Sequence, residues 1–121
     1  MSSFSVLFRT VPTPAGEARV LALSGELDAH TAPEFEAALQ RALDDGWARL
    51  IADGAELDYV SSAGLGVFMA FLEPARQAGG DLVIAALPER VYDVFDLLGF
   101  PALFAFEPTV DAAATRFADA A

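Results

Sequence analysis

The chain has 121 residues, of which 55% are hydrophobic, so one domain with a sizeable core is the simplest expectation. Its 18 acidic residues outnumber 7 basic ones, and the net charge of -11 disfavours binding to nucleic acid or to anionic lipid. There is no cysteine, which excludes disulfides and thiolate chemistry.

The first part of the chain predicts a β-hairpin. Strands are expected over residues 4–8 and 18–23, because both runs are rich in β-prone apolar side chains. Between them, residues 12–16 predict a turn, since proline and glycine interrupt regular structure there. Residues 24–30 are polar and glycine-containing, and we expect a loop.

A helix is expected after this loop. Thr31 and Glu34 fit a capping box, in which the threonine caps the helix and the glutamate reaches back. Gly46 is a good C-terminal stop. Apolar residues at helical spacing predict one buried face, made of Phe35, Ala38, Leu39, Ala42 and Leu43.

The middle of the chain predicts a short buried strand over residues 50–52, a loop over 53–58 and a second helix. We expect Pro74 to kink or shorten this helix and residues 79–80, both glycine, to end it. Its predicted core positions are Leu65, Phe68, Met69 and Leu72.

The last part predicts a buried strand over residues 81–86 and a helix that Pro88 opens and Gly99 closes. An edge strand is expected over 103–106, and a last helix over 109–117 begins at a capping threonine. The inner face of the first of these helices is predicted to be Val91, Val94, Phe95 and Leu98.

The predicted order is therefore β-β-α-β-α-β-α-β-α, which indicates an α/β fold. We expect a mostly parallel sheet of four to five strands with about four helices, the first hairpin being its antiparallel pair. The chain predicts one domain over 1–121, with a core of about 4–118. The N-terminus lacks the pattern of a secretory signal and no apolar run reaches membrane-spanning length, so we expect a cytoplasmic protein.

The most informative residues are Ser61 and Ser62, which lie between a β-prone pair and the second predicted helix. A serine there can cap the helix through its side-chain oxygen. The same place suits negative charge, because unpaired N–H groups and the helix dipole favour anions at a helix start. Ser62 is thus either a cap or a residue that can carry a phosphate.

Other chemistry is poorly supported. A triad of Ser62, His30 and Asp28 can be drawn, but the Gly-x-Ser-x-Gly pattern of many hydrolases is absent around Ser62. Asp28, Asp53 and Asp58 could gather at one sheet edge and contact Mg²⁺ weakly, although solvated acidic loops are the simpler interpretation. One histidine and no cysteine argue against a transition-metal site. We therefore expect no enzyme activity, no cofactor and no metal.

Three sequence blocks resemble the STAS domain, in particular the bacterial anti-sigma factor antagonists. They are similar to the family's Gly-Glu-Leu-Asp block and helix start, its phosphorylation loop, and a strand followed by a helix that ends in glycine. The resemblance covers about residues 4–118, in blocks at 24–32, 60–66 and 78–100.

The resemblance implies a function. Such proteins bind an anti-sigma factor, usually a serine kinase with an ATP-binding domain, and thereby release a sigma factor. The kinase inactivates the antagonist by phosphorylating a serine at the helix start, and a phosphatase of the PP2C type reverses this. That serine aligns with Ser62. Sporulation-type members have aspartate at the position of Ser61 and serine or threonine at that of Ala63, which leaves Ser61 as a weaker second candidate.

The resemblance and the strand order together predict the partner-binding surface, since loops after parallel strands gather at one edge. Asp28 matches a family position near the phosphorylated serine; its alternative role is to cap the loop before the first helix. An alternative function is a non-phosphorylated STAS subunit of a lipid-transport ATPase complex. The predicted partner-binding residues are Asp28, His30, Thr31, Ser61, Ser62, Ala63, Gly64 and Leu65.

Overall fold

A computed structural model describes residues 3–118 of the chain. The elements alternate as the sequence predicts, and a short 3₁₀ turn at Phe100–Ala102 precedes the last strand. The strands are β1 (Phe4–Thr13), β2 (Gly16–Leu27), β3 (Arg49–Val60), β4 (Asp81–Ala85) and β5 (Phe106–Glu107). The helices are α1 (Ala32–Asp44), α2 (Ser62–Gln77), α3 (Glu89–Leu97) and α4 (Val110–Thr115).

The five strands form one sheet in the order β1-β2-β3-β4-β5. β1 and β2 are antiparallel, whereas the pairs β2-β3, β3-β4 and β4-β5 are parallel. The fold class is therefore α/β with a mostly parallel sheet, as predicted. Because β2 and β3 are parallel and Leu27 lies opposite Val60, the chain leaves both strands at the same edge of the sheet.

Helices cover both faces of the sheet. On one face α1, α2 and α3 pack over the larger core, in which the Phe68 ring meets three other aromatic rings edge-on, those of Phe35, Phe95 and Phe104. On the other face α4 covers a smaller cluster that includes Ile51. Burial of Phe68, at 0% exposure, fixes the middle of α2 on the sheet.

All three strands of the first half are longer than predicted. β1 continues to Thr13, so Pro12 is in the strand rather than the turn. This is possible because β1 is an edge strand, where a missing N–H costs no ladder bond. β2 extends into the predicted loop at 24–30 as far as Leu27, and β3 runs through the predicted loop at 53–58 to Val60. The polar residues there pair with the neighbouring strand, and register shifts interrupt the pairing.

Several details of the helices differ from the predictions. Met69 is 43% exposed, while Val67, Phe71 and Ala75 are buried in its place. α2 continues past Pro74 and ends at Gln77, so the helix does not stop at the proline. Leu98 is 59% exposed and is the C-cap of α3, so it is not part of the inner face of that helix.

The predictions for the last part of the chain are partly wrong. The expected edge strand at 103–106 is only Phe106–Glu107, because residues 103–105 form a turn and irregular backbone after the 3₁₀ turn at Phe100–Ala102. The last helix ends at Thr115, two residues before the predicted end at Phe117. Thr109 caps it as expected, since its hydroxyl oxygen accepts a hydrogen bond from the N–H of Ala112 at 3.0 Å.

Candidate partner-binding and phosphorylation site

Two segments meet where β2 and β3 end. We call them together the switch surface, defined as residues 28–31 after β2 and 61–65 at the start of α2. The backbone N–H of Ser61 donates to the carbonyl of Leu27 at 2.9 Å, which joins the two segments directly. The predicted site residues are thus brought to one edge of the sheet. Whether a partner contacts them stays a prediction.

Ser62 is the first residue of α2 and is exposed. The N-cap position belongs instead to Ser61, whose backbone is extended, with φ -100° and ψ 174°. The alternative in which Ser62 caps the helix is therefore wrong.

Ser61 has a different environment. Its hydroxyl oxygen is buried and has no hydrogen-bond partner among the described residues. It makes no side-chain cap bond to α2 either, although its backbone carbonyl accepts from the N–H of Leu65 at 3.0 Å. A kinase reaches an exposed hydroxyl more readily than a buried one, so of the two serines Ser62 is the accessible acceptor.

The start of α2 is suited to an anion. No side chain caps it, and its first turn contains no acidic residue. Among the helices of residues 3–118, the other three each have an acidic residue in the first turn, namely Glu34, Glu89 and Asp111. Unpaired N–H groups and the helix dipole at such a start favour negative charge.

Asp28 forms the turn that leads into α1. Its Oδ1 accepts hydrogen bonds from the backbone N–H groups of His30 at 2.9 Å and Thr31 at 3.1 Å. These contacts correspond to the capping alternative considered for Asp28. They do not place its carboxylate against Ser62, and among the described residues no hydrogen bond joins Asp28 or His30 to the Ser62 hydroxyl.

Thr31 links the end of β2 to the start of α1. Its hydroxyl donates to the carbonyl of Glu26 at 2.7 Å and accepts from the N–H of Asp28 at 2.9 Å. The predicted capping box is wrong, because Thr31 has helical backbone angles and makes no cap bond to α1. The N–H that Glu34 was expected to reach is already bound by Asp28.

Gly64 and Leu65 are the buried part of the switch surface. Gly64 is buried, and a Cβ atom there would lie 2.6 Å from Leu27 Cγ and 3.1 Å from the Leu27 carbonyl oxygen. Leu65 is 5% exposed and belongs to the large core. These two residues therefore seat α2 against the end of β2. Ala29 and His30 are exposed beside them.

A groove that the sequence did not predict lies next to Ser62. α1 and α2 enclose a shallow, mostly apolar groove of about 320 Å³. Gly66 lines it, and a Cβ atom at Gly66 would meet nothing within 4 Å. The one sequence signal for this groove is that a glycine, Gly66, lies inside the predicted second helix. Its lining residues are Ala29, Ala32, Pro33, Glu36, Ala63, Gly66, Val67 and Ala70.

The three aspartates considered for Mg²⁺ have separate surroundings. Asp53 pairs with Arg9 at 3.5 Å, and Asp58 pairs with Arg90 at 3.5 Å. Across residues 3–118 no group of three or more carboxylate or imidazole side chains is close enough to hold a metal ion. Within the same part of the chain, every helix is too short or too polar to cross a membrane.

Known proteins resemble this chain in sequence. The model of the STAS domain family matches residues 10–113. A Bordetella bronchiseptica protein named "Putative anti-sigma factor antagonist BtrV" is 36% identical over 81% of this chain and 84% of its own length. The anti-sigma-B factor antagonist of Listeria monocytogenes is 35% identical over 64% of this chain and 68% of its own.

Solved structures show the same fold. An anti-sigma factor antagonist from Mycobacterium paratuberculosis superimposes with a TM-score of 0.81 at 26% identity, over 92% of this chain and 91% of that one. The unphosphorylated form of the anti-sigma factor antagonist SpoIIAA superimposes with a TM-score of 0.74 at 21% identity, over 90% of this chain and 92% of that one.

Alanine substitutions at Gly64 and Gly66 test how closely each glycine is packed. Gly64→Ala should lower the free energy of unfolding by roughly 1–3 kcal/mol, because the new methyl group overlaps Leu27. Gly66→Ala should raise it by about 0.5–1 kcal/mol, since alanine is the better helix former and meets no atom there. Urea unfolding measures the change in the free energy of unfolding for each variant. Equal changes in the two variants would contradict the close contact at Gly64 and the open space at Gly66.

Proposed function

This chain belongs to the STAS domain family, and we propose that it is an anti-sigma factor antagonist controlled by phosphorylation of Ser62. In this proposal the unphosphorylated protein binds an anti-sigma factor of the serine kinase type and releases a sigma factor. The kinase phosphorylates Ser62 and ends the binding, and a PP2C-type phosphatase restores it. The observation that carries the proposal is the exposed Ser62 hydroxyl at a helix start free of acidic side chains.

The relatives support the binding function. The Bordetella and Listeria proteins are named as antagonists of anti-sigma factors and are more than a third identical to this chain over the aligned regions. Their names imply a protein partner, and the switch surface and the adjoining groove are where we place that partner here. An apolar groove lined by alanine and glycine accepts a protruding apolar side chain.

The phosphate would act mainly on the surface. It adds about two negative charges at a position that is exposed. Free N–H groups at the start of α2 stabilise that charge, so the fold has no reason to change. A docked partner loses contacts, because the phosphate occupies volume beside the groove and repels carboxylates.

We expect the cognate kinase to phosphorylate Ser62. Incubation of the protein with that kinase and ATP, followed by mass spectrometry of its peptides, should place the phosphate on Ser62. Ser62→Ala should lose the label. Ser61→Ala is the matched control and should keep it, because removing a buried, unpaired hydroxyl leaves the fold and the acceptor in place. Label lost from Ser61→Ala but kept by Ser62→Ala would assign the site to Ser61.

Ser62→Asp should weaken binding to the partner that recognises the unphosphorylated protein. The expected loss is about tenfold or more, equivalent to about 1.4 kcal/mol. The stability of the variant should stay equal or rise by up to about 1 kcal/mol, because a carboxylate in the first turn interacts favourably with the helix dipole. Ser62→Asn has nearly the same shape without the charge and should bind more tightly than Ser62→Asp. Titration calorimetry and thermal melting measure the two effects, and equal affinities for the two variants would contradict a charge-based switch.

Asp28→Asn separates the structural role of Asp28 from a role in binding. Asparagine keeps the Oδ1 acceptor for His30 and Thr31, so the stability should change by less than about 0.5 kcal/mol. Asp28→Ala lacks the acceptor and should lose about 1 kcal/mol. If the carboxylate meets a basic partner residue, Asp28→Asn also binds more weakly or is phosphorylated more slowly. If Asp28→Asn binds and is phosphorylated like the wild type, Asp28 serves only to form the turn.

A further inference from the structure

The outer edge of β1 is a long, exposed strand edge. β1 is the first strand of the sheet, and no other strand within residues 3–118 pairs with its outer side. It is ten residues long, and its middle is exposed, with Leu7 at 69% and Phe8 at 38%. Arg9 is its single charged residue. An exposed apolar edge of this kind is a template for pairing with another strand.

The register of the hairpin determines which backbone groups face outward. The carbonyl of Ser3 accepts a hydrogen bond from Glu26, a residue of β2, and Thr13 lies opposite Gly16 across a two-residue turn. Odd-numbered residues therefore bond to β2, because N–H and C=O groups alternate in direction along a strand. Pro12 agrees with this, since it has no N–H to offer and occupies an even position.

The free groups form a regular ladder. The N–H groups of Phe4, Val6, Phe8 and Thr10 point away from the sheet, together with the carbonyls of the same residues. Donors and acceptors at this spacing match those of another extended strand, with which they can form pairs of hydrogen bonds. The side chains between them alternate, so that Leu7 lies on the opposite face of the sheet from Val6 and Phe8.

We propose that β1 pairs with β1 of a second copy of this chain, antiparallel, with Leu7 on the two-fold axis. Leu7 then lies opposite the partner's Leu7 in a non-hydrogen-bonded pair, where side chains are closest. Val6 pairs with Phe8 across the interface through hydrogen bonds of both backbones. The most exposed apolar side chain of the strand is thereby covered.

Other registers fit less well. Centring the axis on Arg9 would put two guanidinium groups opposite each other, which repels. Centring it on Val6 or Phe8 would leave Leu7 opposite a polar residue, Ser5 or Arg9. With the axis at Leu7, Arg9 lies opposite Ser5 and no like charges meet.

The local charge of β1 permits a second copy at this edge. Each copy has a net charge of -11, which repels the other and weakens the dimer, but β1 itself carries only Arg9, so two β1 strands approach without acidic side chains of β1 between them. The strand pair is a small interface, and we expect a weak, concentration-dependent dimer. None of the switch-surface residues belongs to β1, and the dimer therefore does not depend on the proposed phosphorylation.

Sedimentation analysis of the unphosphorylated protein, from about 10 µM to about 1 mM, tests this proposal in the range of weak interfaces. We expect a reversible dimer. Leu7→Lys should weaken it by about tenfold or more, since two ammonium groups would face each other. Thr10→Pro should also weaken it, because it removes an outward N–H while sparing the bonds to β2. Leu97→Lys changes an equally apolar residue, 84% exposed and outside β1, and should have no effect.

Hydrogen exchange locates the contact. The N–H groups of Val6, Phe8 and Thr10 should become protected as the dimer forms, whereas those of Leu7 and Arg9 are protected in the monomer too. A monomer at every concentration overturns the proposal. So does a dimer that survives both β1 changes, or one that Leu97→Lys abolishes, since the contact would then lie elsewhere.

Discussion

The close approach of α2 to the end of β2 is the contact on which the candidate site depends. The N–H of Ser61 donates to the carbonyl of Leu27, and Gly64 lies so near Leu27 that a side chain would overlap it. Because Leu27 and Val60 are neighbours in the sheet, this contact makes α2 start beside the loop that follows β2. It brings together residues more than thirty positions apart in the chain. A larger residue at Gly64 would push the helix start away and separate the two halves of the switch surface.

The starts of α1 and α2 are built differently, and this difference bears on function. At α1, the carboxylate of Asp28 and the hydroxyl of Thr31 satisfy nearby backbone groups. At α2, no side chain does so, and the Ser61 hydroxyl is buried without a partner. An unsatisfied buried hydroxyl and uncapped N–H groups each cost stability. The buried residues Leu65 and Phe68 offset this cost by anchoring α2 on the sheet, so the helix start can remain open to an added anion.

The sequence predicted the order of elements, the fold class and the sheet edge at which the candidate residues gather, because these follow from periodicity and from the alternation of strands and helices. It did not predict the lengths of β2 and β3. Residues such as Gly25 and Glu26 look like a loop locally, yet pairing with Leu57 and Tyr59 of β3 makes them a strand. Strand pairing joins distant segments, and local propensity does not report it.

The same limit applies to the site. Sequence reasoning selected Ser62 and Asp28, but it assigned the capping of α1 to Thr31, since the Asp28 turn depends on how β2 ends. The exposure of Met69 and the burial of Val67 follow from how α2 rotates against α1, which helical spacing alone leaves open. The groove at Gly66 is formed by α1 and α2 together, so it cannot be predicted until the position of both helices is known.

A switch at this position can act without a conformational change. Ser62 lies outside the core, while the residues that fix α2, including Gly64 and Leu65, are buried directly behind it. Charge added in front of a rigid helix start changes the electrostatic field, which falls off over about 10 Å at moderate salt, and the phosphate changes the shape of the surface only where it makes contact. In the proposed mechanism the partner must therefore dock within that distance of Ser62. The groove that Ala63 and Gly66 line meets this requirement, since Ala63 follows Ser62 directly and Gly66 lies one helical turn on.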